Sequence, residues 1–125
     1  MSSNSAEEFR PHRTKTLFVL VGENPLPNYV TTKLLLEKDG HLYLVHSQGP
    51  DGTGDIAQRL KNHLTRYQGH LVAVDEHNEK ELRKQVAEHL QDIPPGAIGL
   101  NYTGGTKFMA VHTYQEIEDF CKPGE

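Results

Sequence analysis

The stretch Thr16-Leu-Phe-Val-Leu-Val21, running at once into Gly22-Glu-Asn-Pro-Leu-Pro-Asn28, sets the reading of the whole chain. The first half is a short apolar run with no polar alternation. The second half is a loop rich in turn formers. Three further runs have the same character: Leu42-Tyr-Leu-Val45, Leu71-Val-Ala-Val74 and Ala97-Ile-Gly-Leu100. Unbroken apolar runs of this length suit strands buried on both faces, as in a parallel sheet. The segments between them carry helical periodicity. Ile56, Leu60, Leu64 and Tyr67 form one stripe, and Leu82, Val86 and Leu90 a second. Asn78 stands three residues before Glu81, a capping-box spacing. Ala110, Tyr114, Ile117 and Cys121 form a further stripe, which Phe108, Met109 and Val111 widen. The first helix, about 28–38, is the least periodic. Asp39-Gly40, Gly69 and Pro94-Pro95-Gly96 read as stops. Four strand–helix units predict an α/β three-layer sandwich with a mainly parallel sheet of at least four strands and right-handed crossovers.

Composition bounds the class. The chain has 125 residues, which is the size of one domain. Hydrophobic residues make up 35% and the mean hydropathy is −0.63, and no stretch has the length of an apolar membrane span. Thirteen basic and seventeen acidic residues leave a net charge of −4. That argues against a protein that coats long DNA or RNA, which presents a basic face. It leaves room for a small anion held at a local site. The single cysteine, Cys121, excludes an internal disulfide and a Cys-rich zinc site. The opening residues do not read as a tripartite signal peptide, so none is expected. The expectation is a soluble cytoplasmic domain over 15–125, preceded by a polar, disordered tail over 1–14.

In an open parallel sheet, ligands bind beyond the carboxyl ends of the strands. Four loops form that edge here: Gly22–Asn28, His46–Gly54, Asp75–His77 and Asn101–Lys107. The first, second and fourth are rich in Gly, Asn, Ser and Thr, and each leads into a helix N-terminus that favours anions. The fourth is the strongest candidate. Gly104 and Gly105 let backbone approach a ligand, Thr103 and Thr106 offer hydroxyls, and Lys107 offers a cation. Together they read as a phosphate cradle. The same residue types also make tight turns and helix caps with no ligand at all.

Other signatures fit less well. The P-loop pattern fails, because the chain contains no Gly-Lys pair. Gly52-Thr-Gly-Asp-Ile-Ala57 matches the dinucleotide fingerprint, with Asp75 at the place of a ribose-binding acid. Its glycines stand too far beyond Val45, so binding of an NAD-type dinucleotide is kept as an alternative. Eight histidines raise a metal hypothesis around His46, Asp75 and His77, but no H-E-x-x-H spacing occurs and no metal site is assigned. His41, His63, His70 and His89 are expected on solvated helix faces or in turns. Ser47 lacks the nucleophile elbow and reads as a hydrogen-bonding loop residue. Asp51 and Asp55 read as turn and helix-start residues.

Three motifs then carry a family resemblance. Gly22-Glu-Asn-Pro-Leu-Pro-Asn-Tyr29 after the first strand, His46-Ser47 after the second and Leu100-Asn-Tyr-Thr-Gly-Gly-Thr-Lys-Phe-Met109 after the fourth resemble the CARF family. These are Rossmann-like sensor domains of type III CRISPR defence, of the branch usually fused to a nuclease-like or other effector domain. The resemblance spans about 15–121. It implies a ring of cyclic oligoadenylate, tetra- or hexa-adenylate, bound at a homodimer interface without a cofactor. A twofold dimer presents the same loops to each half of a symmetric ring. By motif, Gly22, Glu23, Asn24 and Pro25 shape the first loop, and Ser47 contacts ribose or phosphate. Asn101, Thr103, Gly104, Gly105, Thr106 and Lys107 hold the phosphates. Asn24 and Asn28 are weaker candidates for an adenine edge.

Some relatives cleave their ring, a 2′-hydroxyl attacking the adjacent phosphate without metal. Lys107, Ser47 and the Gly104 and Gly105 amides would then stabilise charge, with His46 as a possible base. CARF domains usually continue past the fourth helix, whereas this sequence stops at Cys121-Lys-Pro-Gly-Glu125. The expectation is either a sensor fragment, with Pro123-Gly124 opening a linker to a fused or associated effector, or a minimal stand-alone protein.

Overall fold

A computed structural model describes residues 13–50, 52–93 and 98–121. The apolar runs become four strands: β1 (Thr14–Leu20), β2 (Leu36–Ser47), β3 (Gln68–Val74) and β4 (Ile98–Asn101). Helices α1 (Leu26–Leu35), α2 (Gly54–His63), α3 (Glu79–Leu90) and α4 (Lys107–Cys121) alternate with them. The sheet is parallel throughout, in the order β3-β2-β1-β4. The chain steps outward from β1 to β3, then crosses to the other side of β1. The order therefore reverses between β1 and β4, and a crevice opens at such a switch point.

Burial on both faces explains the unbroken apolar runs. Leu17, Val19, Leu42 and Leu44 pack with Ala57 and Leu60 of α2 on one face. Phe18, Leu20, Tyr43 and Val45 pack with Leu82 and Val86 of α3 and Met109 and Ile117 of α4 on the other. Asn78 caps α3, its Oδ1 accepting from the Glu81 N–H at 3.1 Å. Arg83 ties α3 to α4 through Glu116 and Asp119, each at 2.8 Å.

Several details differ from the sequence expectation. Helix α1 ends at Leu35, and β2 begins at the next residue. Asp39-Gly40 is therefore no helix stop but an irregularity inside β2. Thr14 pairs with Leu36 while Thr16 pairs with His41, so β2 accommodates extra residues between them. Asp39 adopts φ 63°, and a methyl group at Gly40 would lie 2.7 Å from Leu36 Cδ1. The buried line of α4 is Met109, Thr113 and Ile117, whereas Val111, Tyr114 and Cys121 face outward. The helix is apolar on two sides, and only the packing of α3 and the sheet selects one of them.

Two histidines lie where neither helix nor turn exists. His41 is on β2 and His70 on β3. His70 stacks on Tyr43 at 4.5 Å, and Tyr43 stacks on Phe18 at 4.7 Å. The three are register partners, so adjacent strands align them as a row. His89 on α3 meets Tyr43 edge-on. The expectations for the tail over 1–12, for Asp51, for the Pro94-Pro95-Gly96 stop and for the end over 122–125 lie outside the described residues. Among the described residues no helix is long and apolar enough to cross a membrane.

Candidate functional site

The first and fourth edge loops meet backbone to backbone at the switch point. A methyl group at Gly104 would lie 2.6 Å from the Gly22 nitrogen, and one at Gly22 would lie 3.1 Å from the Gly105 nitrogen. Gly105 has φ 75°, which glycine adopts without strain. Thr106 then caps α4. Its Oγ1 accepts from the Met109 N–H at 3.1 Å, and its carbonyl accepts from Ala110 N–H. The N-terminus of α4 thus opens directly onto the crevice, with exposed Lys107 as its first residue. Thr103 Oγ1 donates to Asn101 Oδ1 at 2.9 Å and braces the same loop.

The first loop is held from inside. Asn28 is buried and its Nδ2 donates to the Leu20 carbonyl at 3.0 Å. This side chain is turned into the protein and serves the end of β1, so it is not presented as an adenine reader. Asn24 Oδ1 accepts from the Leu26 N–H, and Pro25 stands at the N-cap of α1.

The second loop is closed by a pair absent from the sequence reading. Ser47 Oγ accepts from the Thr53 N–H at 3.0 Å, and Thr53 Oγ1 accepts from the Ser47 N–H at 3.1 Å. The hydroxyls themselves lie 3.3 Å apart. This reciprocal lock folds the loop over and brings α2 to the edge. A methyl group on Gly52 would collide with the Ser47 carbonyl, which explains a glycine there without a dinucleotide. His46 points the other way. Its Nδ1 lies 3.0 Å from the Ser47 carbonyl, and its ring packs under Gly54 on the α2 side of the sheet.

The third loop is a tight turn. Asp75 Oδ1 accepts from the His77 N–H at 2.9 Å, and Asp75 N–H donates to Gln85 Oε1 at 2.9 Å. The acid proposed for a ribose is thus engaged within its own turn.

Together these loops enclose a cavity of about 370 Å³ at the crevice, lined by Val21, Gly22, Glu23, Ser47, Thr53, Glu76, Gly105, Thr106 and Met109. That volume falls in the range of small-molecule sites. A shallower depression of about 330 Å³ adjoins it, sharing Gly105 and Thr106 and adding Tyr102, Gly104 and Lys107. Of the residues singled out from sequence, Gly22, Glu23, Ser47, Gly105 and Thr106 line the cavity, and Gly104 and Lys107 line its neighbour. Asn24, Pro25, Asn101 and Thr103 support the loops without lining either, and His46 lines neither. Thr53 and Glu76 line the cavity as well and are not among those residues. Thr53 carried one signal, its place just before a helix start. Glu76 carried none beyond lying in an edge loop. Charge around the two is mixed: Glu23 and Glu76 in the cavity oppose anions, while Lys107 in its neighbour and the α4 amides attract them. Among the described residues no group of three His, Cys, Asp or Glu side chains is placed to hold a metal ion.

A parallel sheet with its strand order reversed at a polar, glycine-lined crevice defines a Rossmann-like ligand-binding domain. Comparison narrows the class. The family model of the Card1 CARF domain matches residues 16–122, and the chain belongs to that family. Among solved structures, it is similar to Can2 from Sulfobacillus thermosulfidooxidans in complex with cyclic tetra-adenylate (cA4), with a TM-score of 0.69 and 20% sequence identity. The match covers 92% of this chain and 32% of that one, so the chain spans about a third of its neighbour's length. Likeness at this identity speaks to the fold. No curated protein matches the chain.

Proposed function

We propose that this domain is a cyclic oligoadenylate sensor of type III CRISPR defence, which binds the ring across a homodimer in the cytoplasm and regulates a fused or associated effector. The observation that carries the reading is the convergence of three loops on one crevice in a member of the CARF family. Gly22 and Gly105 bring backbone close, Thr106 caps a helix that points its N–H groups at the cavity, and Lys107 stands beside it. Oriented amides and one lysine suit phosphates in a chain of net charge −4. The Can2 neighbour, which shares the fold, was solved with cyclic tetra-adenylate.

The dimer draws support from apolar surface beside the cradle. Tyr102, Val111 and Tyr114 are exposed by 63%, 57% and 51%, and with Ala110 they line a shallow depression of about 340 Å³. A second copy related by a twofold axis would cover this surface and place two cradles around one symmetric ring. Ring cleavage draws less support, since His46 does not line the cavity. Dinucleotide binding draws less support too, since Asp75 is engaged in its turn.

Isothermal titration with rings of four and six adenylates tests the reading. Saturable binding at one ring per two chains is the expected result. Absence of binding by either ring would overturn it.

A further inference from the structure

Glu76 lines the cavity beside Ser47, and with His77 the depression next to it, and a phosphate cradle has no need of its carboxylate. Glu76 sits on the turn between β3 and α3, its side chain 31% exposed. The backbone is pinned on both sides of it, Asp75 N–H by Gln85 and His77 N–H by Asp75. Its ion-pair partner is the 86%-exposed His77 at 3.6 Å, a contact too open to neutralise it. A carboxylate held in this way repels phosphate and accepts hydrogen bonds only. It marks a place for a part of the ligand that donates.

Strand order says which part. The crevice that would take the phosphates lies at β1 and β4, Ser47 stands at the end of β2, and Glu76 follows β3, the outermost strand on that side. In a cyclic oligonucleotide the sugar–phosphate chain forms the ring, and the bases radiate from it. A base directed away from Lys107 would pass Ser47 and reach the β3 turn, with Val21 and Met109 as apolar walls. Adenine carries a donor on its outer edge, the N6 amino group; hypoxanthine carries a carbonyl oxygen there.

We propose that Glu76 is the base-reading residue of this site: its carboxylate accepts from the adenine N6 amino group and selects adenine over purines with a carbonyl at that position. The inference rests on the sensor reading above. Titration of the full chain with cyclic tetra-adenylate, cyclic tetra-inosinate and cyclic tetra-deoxyadenylate tests it. The unaltered protein should prefer the adenylate ring to the inosinate ring by about tenfold or more, the scale of a hydrogen bond to a charged group. Glu76→Ala should lose that preference by weakening adenylate binding, and Glu76→Gln, which keeps an acceptor oxygen, should retain part of it. Glu76→Met, of similar length but without the oxygen, carries the test if the alanine variant does not fold. The deoxyadenylate ring should lose the same factor in every variant. Full preference in Glu76→Ala or Glu76→Met would overturn the assignment, as would tighter adenylate binding in either, the mark of simple charge relief. A deoxyadenylate penalty that disappears in those variants would put the carboxylate on the ribose instead. Failure of all three rings to bind the unaltered protein would overturn the sensor reading, and this assignment with it.

Discussion

Gly22 and Gly104 touch through backbone alone, with no room for a Cβ on Gly104 between the Gly22 nitrogen at 2.6 Å and the Leu20 carbonyl at 2.5 Å. The loops after β1 and β4 are thereby joined at the point where the strand order reverses. Gly104→Ala should lower stability by about 1–3 kcal/mol, the usual cost of overpacking a close contact. Urea denaturation measures it, and an unchanged midpoint would show that the two loops separate without cost.

Lys107 is exposed at the first position of α4 and makes no contact the fold depends on. Lys107→Ala should leave the melting temperature within a degree or so while weakening ring binding by about 1–3 kcal/mol, the scale of a charge-assisted hydrogen bond. Titration at two salt concentrations checks both points. The variant should also show a shallower salt dependence, because one counter-charge to phosphate is gone.

Thr53 and Ser47 hold the second edge loop by exchanging hydrogen bonds at 3.0 and 3.1 Å. Thr53→Val keeps the shape but leaves the Ser47 N–H without its acceptor. The expected loss is about 1–3 kcal/mol of stability, the cost of orphaning a buried donor. Ring affinity should fall with it, since Ser47 lines the cavity. Thermal melting paired with titration separates the two effects.

Val111 and Tyr114 present apolar side chains to solvent beside the cradle. Val111→Glu combined with Tyr114→Glu should convert the expected dimer to monomer without unfolding the chain, as read by sedimentation velocity. Ring binding should fall by tenfold or more in the same variant, because each subunit would offer half a site. A dimer that survives the double substitution would place the interface elsewhere.

His70 is held below the ordinary histidine range, first by burial and then by the neighbouring charges of His41, His89 and Lys61. The unfolded chain therefore takes up a proton before the folded one as pH falls through about 6.5. Stability contributed by neutral His70 is present above that pH and is lost as pH drops toward the depressed folded value. Melting temperatures measured from pH 7.5 to 5.5 should fall. His70→Phe should flatten the fall while keeping the ring stacked on Tyr43.

Much of this fold is legible in the residues. Leu17, Val19 and Val21 face one way and Phe18 and Leu20 the other, and an unbroken run is what two buried faces require. The cap at Asn78 is equally local, because donor and acceptor stand three residues apart. Local pattern falls short where long-range pairing decides. Leu36–Gly40 is mostly polar, yet it belongs to β2: Leu36 pairs with Thr14, and the residues after it are an insertion that carries the strand on to His41 opposite Thr16. His41 and His70 are in the sheet because β2 and β3 set them side by side, ring on ring, with His70 also stacked on Tyr43. The outward turn of Tyr114 and the inward turn of Met109 follow from where α3 stands.

The site divides the same way. Gly22, Gly104, Gly105, Thr106 and Lys107 carry their chemistry in their identity and spacing, so the polar edge and its place beyond the strands were determined by sequence. Which of them share a cavity was decided by strand order, which sets β4 beside β1 and leaves β3 outermost. The Thr53–Ser47 lock forms within one loop, but only that arrangement places Glu76 in the same cavity as Gly105. A sequence states what each residue can donate or accept along its own loop; the distances between loops arise from how the sheet is ordered and packed.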